Sequence, residues 1–206
     1  MNKELKKCYN CYRPKTSCSC ENIKEKINTN TKFIILMHPK EFKKTKNGTG
    51  FMTRNSIYDS EVIIGIDFTN NKRVNELINN KNYNPYLLYP HENSIKVNKE
   101  LISNNKQLLI FILDSTWPCS KKMLKLSSNL QQLPKLSFEH DLKSNFQFKT
   151  QPQDYCLSTI ESTFCLLQEL NKQNIENIKE NDLNSFLSPF HKMVEYQVNC
   201  KKLHNN

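Results

Sequence analysis

The chain has 206 residues, 37% of them hydrophobic and 10% aromatic, and a formal net charge of +10. These values exclude a disordered chain and allow one ample domain, or a domain with a small appendage, around a real core. No apolar run approaches the roughly 20 residues of a membrane span, whereas the positive charge suits a polyanion such as nucleic acid.

The charge also has a plain compositional reading, because Lys and Asn are abundant throughout and Arg is scarce. Glycine occurs only as Gly48, Gly50 and Gly65, so neither a P-loop nor a dinucleotide fingerprint can be written. Nucleotide binding by those two routes is excluded.

Met1 to Lys7 lacks the apolar stretch of a secretory signal, which makes a reducing cytoplasm the expected location. There, cysteines argue for thiolates and metal rather than disulfides. Cys8-x2-Cys11-x6-Cys18-x-Cys20 supplies four soft ligands in closely spaced pairs, at little loop-closure cost. Surface thiols or two disulfides are the other readings; structural Zn2+ is the expectation. Four sulfurs close the coordination shell, so such a metal is structural rather than catalytic. Arg13 and Pro14 stand between the pairs, where they can stiffen the turn and balance thiolate charge. Cys119, Cys156, Cys165 and Cys200 fall on apolar patterns and read as core residues. Residues 1–30 thus read as a cysteine-rich zinc knuckle and 31–206 as the main domain.

Thr31 to Met37 reads as a buried strand that ends in His38-Pro39-Lys40-Glu41. His38 and Glu41 are candidate ligand contacts, although a His at a strand exit is more often simply hydrogen-bonded. Lys40 to Arg54 is polar and basic and reads as a mobile loop. Glu61 to Ile66 is a further strand, and Asn70 to Asn84 a short polar helix or loop. Tyr86-Leu87-Leu88-Tyr89-Pro90 is a strand broken by its proline, with a polar loop from His91 to Ser94.

Leu108 to Leu113 is continuously apolar rather than alternating, which predicts a fully buried parallel strand. Asp114, Ser115, Thr116 and Trp117 follow it directly, and Pro118 suits the first turn of a helix. Cys119, Met123, Leu126 and Leu130 then repeat at helical spacing. In an open α/β sheet such a corner lies at the carboxyl edge, where ligands bind. Leu133 to Phe138 suggests another strand, and Phe146 to Lys149 an edge strand.

Ser158 with Glu161 has the form of a capping box, and Ile160, Phe164, Leu167 and Leu170 follow at helical spacing. A cap alone would account for these residues without a ligand. A last helix begins near Ser188-Pro189, with Phe190, Met193, Val194, Gln197 and Val198 on one face. Alternating strands and helices predict an α/β fold with a mainly parallel sheet and flanking helices. The loops after Leu88, after Leu113 and before Ser158 would then gather at one sheet edge. Two helix N-termini there, near Pro118 and Ser158, would welcome a carboxylate or phosphate.

In this order the features resemble the DTW-domain family of tRNA-uridine aminocarboxypropyltransferases. The resemblance is carried by Cys8-x2-Cys11-x-Arg13-Pro14-x3-Cys18-x-Cys20, His38-Pro39-x-Glu41 and Leu87-Leu88-Tyr89-Pro90. It continues in Asp114-x-Thr116-Trp117 with Lys122-Met123-Leu124, in Leu133-Pro134 and in Ser158-Thr159-x-Glu161. Two positions depart: Ser115 stands where relatives usually carry Gly, and Met37 where they carry Gln. A Cβ at Ser115 would strain any corner that needs a positive φ.

The resemblance implies a fold related to the SPOUT class of RNA-modifying enzymes, with a C-terminal knot. It implies transfer of the 3-amino-3-carboxypropyl group from S-adenosylmethionine to N3 of a uridine in tRNA, leaving 5′-methylthioadenosine. On that reading Asp114, Thr116 and Trp117 are the catalytic candidates. Leu88, Tyr89, Pro90, Leu113, Ser158, Thr159 and Glu161 would hold the donor. His38, Glu41, Arg54, Lys121 and Lys122 would face the RNA, and a monomer is the expected unit. The rivals are a SPOUT-class RNA methyltransferase and a noncatalytic zinc-stabilised RNA-binding protein. A zinc hydrolase is disfavoured, because four cysteines leave no open position for water.

Overall fold

A computed structural model of the chain describes residues 7–23, 25–43, 48–103, 105–139 and 157–204. After short 3-10 turns at Lys15–Ser17 and Cys20–Asn22, the first half runs β1 (Lys32–Met37), α1 (Pro39–Lys43), α2 (Gly50–Ser56), β2 (Ser60–Ile64), α3 (Lys72–Asn79) and β3 (Tyr83–Leu88). It continues through β4 (Ile95–Lys96), β5 (Gln107–Asp114), α4 (Trp117–Leu126), α5 (Ser128–Gln131) and β6 (Lys135–Ser137). Three helices complete it: α6 (Thr159–Lys172), α7 (Glu180–Ser185) and α8 (Ser188–His204).

The strands form one sheet of order β2-β1-β5-β3-β6-β4, and every adjacent pair is parallel. Its central strands are covered on both sides, which is why their sequences are unbroken apolar runs. Phe33, Ile110 and Ile112 face one core with Met52, Ile160, Leu167, Leu170, Phe190 and Met193. Ile34, Leu36, Leu109 and Phe111 face the other, with Val74, Leu77, Met123 and Leu130. Among the described residues no helix is long and apolar enough to cross a membrane.

The topology locates a crevice. From β1 the chain moves to β2 on one side, and from β5 to β6 on the other. Neighbouring strands whose following connections diverge make a topological switch point, and ligands bind outside the carboxyl ends there. The last pair in the β1–β5 register is Met37 with Asp114.

Several boundaries differ from the sequence reading. The segment expected as a loop from Lys40 to Arg54 contains α1 and α2, on either side of residues 44–47, which lie outside the described residues. α2 carries buried polar groups as well as Met52, so no amphipathic period announces it; the Thr53 hydroxyl donates to the Thr49 carbonyl at 3.0 Å. β3 starts at Tyr83 and passes through Pro85, whose missing N–H is tolerated because β6 pairs only with Leu87 and Leu88. Leu126 ends α4 42% exposed rather than joining the core with Met123 and Leu130. The strand expected at 146–149 and Cys156 lie outside the described residues, as does 140–156, whose path any C-terminal knot depends on.

Helix α6 stops by a left-handed residue, Asn174 at φ 58°, after which the Ile175 N–H returns to the Leu170 carbonyl at 3.0 Å. The reversal carries Glu176 to the start of β1, where its carboxylate accepts the Asn30 N–H at 2.7 Å and the Thr31 N–H at 2.9 Å. Burial pushes the Glu176 carboxyl above its ordinary value, against the pull of those bonds. A carboxyl raised on folding binds its proton more tightly in the folded state, so stability falls as pH rises from the unfolded to the folded value. Glu176→Gln turns an N–H2 toward a backbone N–H and is expected to cost about 1–3 kcal/mol in urea unfolding at neutral pH. The same variant is expected to lose that part of the pH dependence.

Candidate active site and metal centre

Asp114 ends β5 at the switch point and is 6% exposed. Its carbonyl accepts the His38 N–H at 3.0 Å, tying the ends of the two central strands together. Its Oδ1 accepts a hydrogen bond from the Thr159 hydroxyl at 2.6 Å, and Thr159 is the first residue of α6. Gly50 is the first residue of α2, and a Cβ there would lie 2.4 Å from Asp114 Oδ2 and 2.8 Å from Cγ. Only a residue without a side chain lets α2 come this close. Two helix N-termini therefore supply partial positive charge where a buried carboxylate needs it.

The start of α6 is closed locally. Glu161 Oε2 accepts the Ser158 N–H at 2.8 Å and the Ser158 hydroxyl at 2.6 Å. Glu161 is buried, and its carboxylate serves the helix cap as the sequence pattern implied.

On the other side of β5, Leu88 pairs with Ile112 at the end of β3. Tyr89 follows, its ring centroid 5.9 Å from that of Trp117 in an edge-on contact. Leu88 packs toward the α6 side of the sheet, and Tyr89 and Leu113 toward the α4 side; Pro90 is exposed. Thr116 is the N-cap residue of α4, with its carbonyl accepting the Ser120 N–H at 2.8 Å. The Ser115 and Ser120 hydroxyls are 2.6 Å apart. Among the described non-glycine residues only Tyr12 and Asn174 have positive φ, so serine sits at position 115 without that strain.

His38 is 5% exposed, and its Nδ1 accepts the Lys40 N–H at 3.1 Å, which leaves Nε2 as the protonated nitrogen of the neutral ring. Burial lowers its pKa, the charges of Lys40 and Lys122 act the same way, and Glu41 opposes them. His38 thus braces the strand exit directly behind the acid. Glu41 is buried in α1, whereas Lys121 and Lys122 are exposed on α4. Arg54 is half-buried one helical turn beyond Gly50. The fold brings Asp114, Thr159, Ser158 and Glu161 together at the start of α6 and sets the His38 backbone against Asp114, whereas Tyr89 and Trp117 meet each other, with Tyr89 on the α4 side of the sheet. Lys121 and Arg54 stand at the periphery.

The four N-terminal cysteines also converge. Cys8 and Cys20 sulfurs are 3.8 Å apart, Cys11 and Cys18 sulfurs 3.7 Å, and all four lie within 4.8 Å of one another. Four thiolates at about 2.3 Å from a tetrahedral ion have edges of about 3.8 Å, so the set can hold a metal ion. Hydrogen bonding from Cys20 lowers the Cys11 thiol to about 5. Burial raises Cys18 to about 11, and the bond with Cys11 pushes Cys20 upward. One thiolate forms readily and opposes the next; a cation removes that opposition.

Arg13, 1% exposed, fastens this centre to the remainder of the molecule. Its Nη2 donates to the Gly48 carbonyl at 2.7 Å and meets the Met193 sulfur of α8 at 3.1 Å. Asn55, in the last turn of α2, donates to the Asn10 carbonyl at 3.1 Å. One short helix therefore touches the acid at its first residue and the cysteine loop near its last. Sequence reasoning missed Gly50 and Asn55; the scarcity of glycine in the chain was the one available signal for Gly50. Gly50→Ala is expected to displace the Asp114 carboxylate or tilt α2, destabilising the protein by about 1–3 kcal/mol in chemical unfolding. A crystal structure of the variant is expected to show the Thr159–Asp114 hydrogen bond lengthened or lost.

The DTW domain family matches residues 5–198. The chain is 25% identical over 198 residues to a Drosophila melanogaster protein named tRNA-uridine aminocarboxypropyltransferase 2, over 93% of this chain and 75% of that one. It is 23% identical over 199 residues to a Macaca fascicularis protein of the same name, over 95% of this chain and 65% of that one. No solved structure matches the chain. A family match that starts ahead of the cysteine cluster and ends in the last helix takes in both the acid site and the metal centre, and on that extent the chain belongs to the DTW-domain family.

Proposed function

We propose that this protein is an enzyme that transfers the 3-amino-3-carboxypropyl group of S-adenosylmethionine to N3 of a uridine in tRNA. The observation that carries the reading is Asp114, a buried acid held by Thr159 at the switch point of a chain whose relatives are named for this reaction. The sulfonium makes three carbons electrophilic, so selectivity comes from which one the protein aims at the nucleophile. Asp114 takes the N3 proton as N3 attacks the γ-carbon of the donor's amino acid chain. The N–C bond forms, the C–S bond breaks with its electron pair passing to sulfur, and 5′-methylthioadenosine leaves.

Each neighbour has a part in this scheme. Thr159 orients the acid, Thr116 assists at the same corner, and the first-turn amides of α6 receive the donor carboxylate beside Ser158. Glu161 contributes by holding that helix end, since its carboxylate is engaged in the cap. Leu88, Tyr89, Pro90 and Leu113 wall the adenosine, and Trp117 stacks on a base. N3 is a Watson–Crick atom, so the uridine enters unpaired or flipped. Lys121, Lys122, Arg54 and the His38–Glu41 turn lie on the RNA side, the cations to phosphates.

Incubation with unmodified tRNA and S-adenosylmethionine, followed by nucleoside mass spectrometry, is expected to yield 3-(3-amino-3-carboxypropyl)uridine. A methylated nucleoside with S-adenosylhomocysteine would replace the reading by a methyltransferase, and absence of donor binding by an RNA-binding protein. Asp114→Asn, which keeps the Thr159 contact, is expected to lower kcat by about 10²–10⁴-fold with donor affinity unchanged.

We also assign the cysteine centre to structural zinc. One zinc ion per chain is expected by elemental analysis, with a fall in Tm on chelation. Cys18→Ser is expected to lower zinc content and Tm together; a Cys18→Ser protein that keeps both would remove the assignment.

A further inference from the structure

Three rings meet where the cysteine loop adjoins the acid site. Tyr12 lies 5.7 Å from Phe42 and 5.0 Å from Phe51 between centroids, and Phe42 lies 6.0 Å from Phe51. Phe42 follows Glu41 in α1, and Phe51 follows Gly50, the residue against the Asp114 carboxylate. The cluster is not closed off: Tyr12 is 39% exposed, and Tyr9, on the same cysteine loop, is 80% exposed.

Tyr12 holds this position at φ 59°, a left-handed conformation that a residue with a Cβ adopts only at a cost. Gly or Asn would stand there more cheaply if the turn alone mattered. The Arg54 guanidinium carbon lies 5.8 Å from the Phe51 centroid, at the edge of the cluster. Lys15, Lys40 and Lys43 are exposed on the segments that carry these rings. Half-open aromatic rings beside a guanidinium, in a chain of net charge +10, match the chemistry that binds an unpaired base and its phosphates.

We propose that Tyr12, backed by Phe42 and Phe51 and flanked by Arg54, is a stacking platform for an unpaired nucleotide of the RNA next to the uridine held at Asp114. This rests on the RNA-modifying reading of the same site. It gives the cysteine loop a part in substrate recognition besides its part in the fold.

Tyr12→Asn removes the ring and tolerates a left-handed φ. It is expected to keep its metal content and Tm while binding unmodified tRNA and single-stranded oligouridine roughly 5- to 150-fold more weakly. Binding to a perfect RNA duplex is expected to be unchanged. Tyr12→Trp is expected to bind as the parent does, and its added emission to be quenched by oligouridine. Parental affinity in Tyr12→Asn, an equal loss on duplex RNA, or unquenched emission in Tyr12→Trp would each overturn the platform. If the parent modifies tRNA and Tyr12→Asn does so equally well, the platform alone falls. If the parent modifies nothing yet Tyr12→Asn loses single-strand binding, the platform stands and the transferase reading falls.

Discussion

A single hydrogen bond, from the Thr159 hydroxyl to the Asp114 carboxylate, joins the end of the central strand to the start of the longest helix on that face until α8. A buried carboxylate is costly unless it is bonded and faced by positive charge. Here that cost is met by a hydroxyl and by two helix ends, one of which can approach only because Gly50 has no side chain. The same requirement fixes the distances among β5, α2 and α6. The acid is thus a structural group that sets the packing at the switch point.

Helix α2 extends this constraint to the metal centre. Its first residue abuts Asp114, while Asn55 near its other end bonds the cysteine loop. Arg13 adds a second tie, reaching from beside Cys11 to the Gly48 carbonyl just ahead of the helix. Its buried charge is opposed by desolvation and favoured by Cys11, Cys20 and Cys18 in their thiolate form. The cysteine cluster is therefore tied to the helix against which the acid rests. Tyr12 lies between those two ties along the chain, with its ring against Phe42 and Phe51.

The edge beyond β3 has a different character. Tyr89 and Trp117 meet edge-on, and the Ser94 and Ser137 hydroxyls form a buried pair at 2.7 Å that fastens the short outer strands. The groups there are apolar or already hydrogen-bonded, whereas exposed Lys121 and Lys122 lie on the helix that leads away from the corner. Apolar and cationic groups are thus sorted to different parts of one rim.

Sequence alone determined the elements whose burial is uniform. Leu108–Leu113 is read as a buried parallel strand because no alternation interrupts it, Thr31–Met37 as a buried strand, and the Ser158–Glu161 spacing announces a helix start because a cap is a local device. The cysteine spacing likewise specifies a metal-holding loop, since nearby ligands need little of the remaining fold. The tertiary structure alone decided what depends on packing between distant segments. α2 has no periodicity of its own and exists because Met52 is buried beneath α6 and its polar face bonds inward. Gly50 matters because β5 and β1 deliver the Asp114 carboxylate and the Met37 side chain to its α-carbon, and Arg13 reaches across 35 residues to Gly48 and 180 to Met193. Such contacts join residues that are remote along the chain, so no local pattern encodes them, and the strand order that creates them is set by the crossovers of the whole sheet.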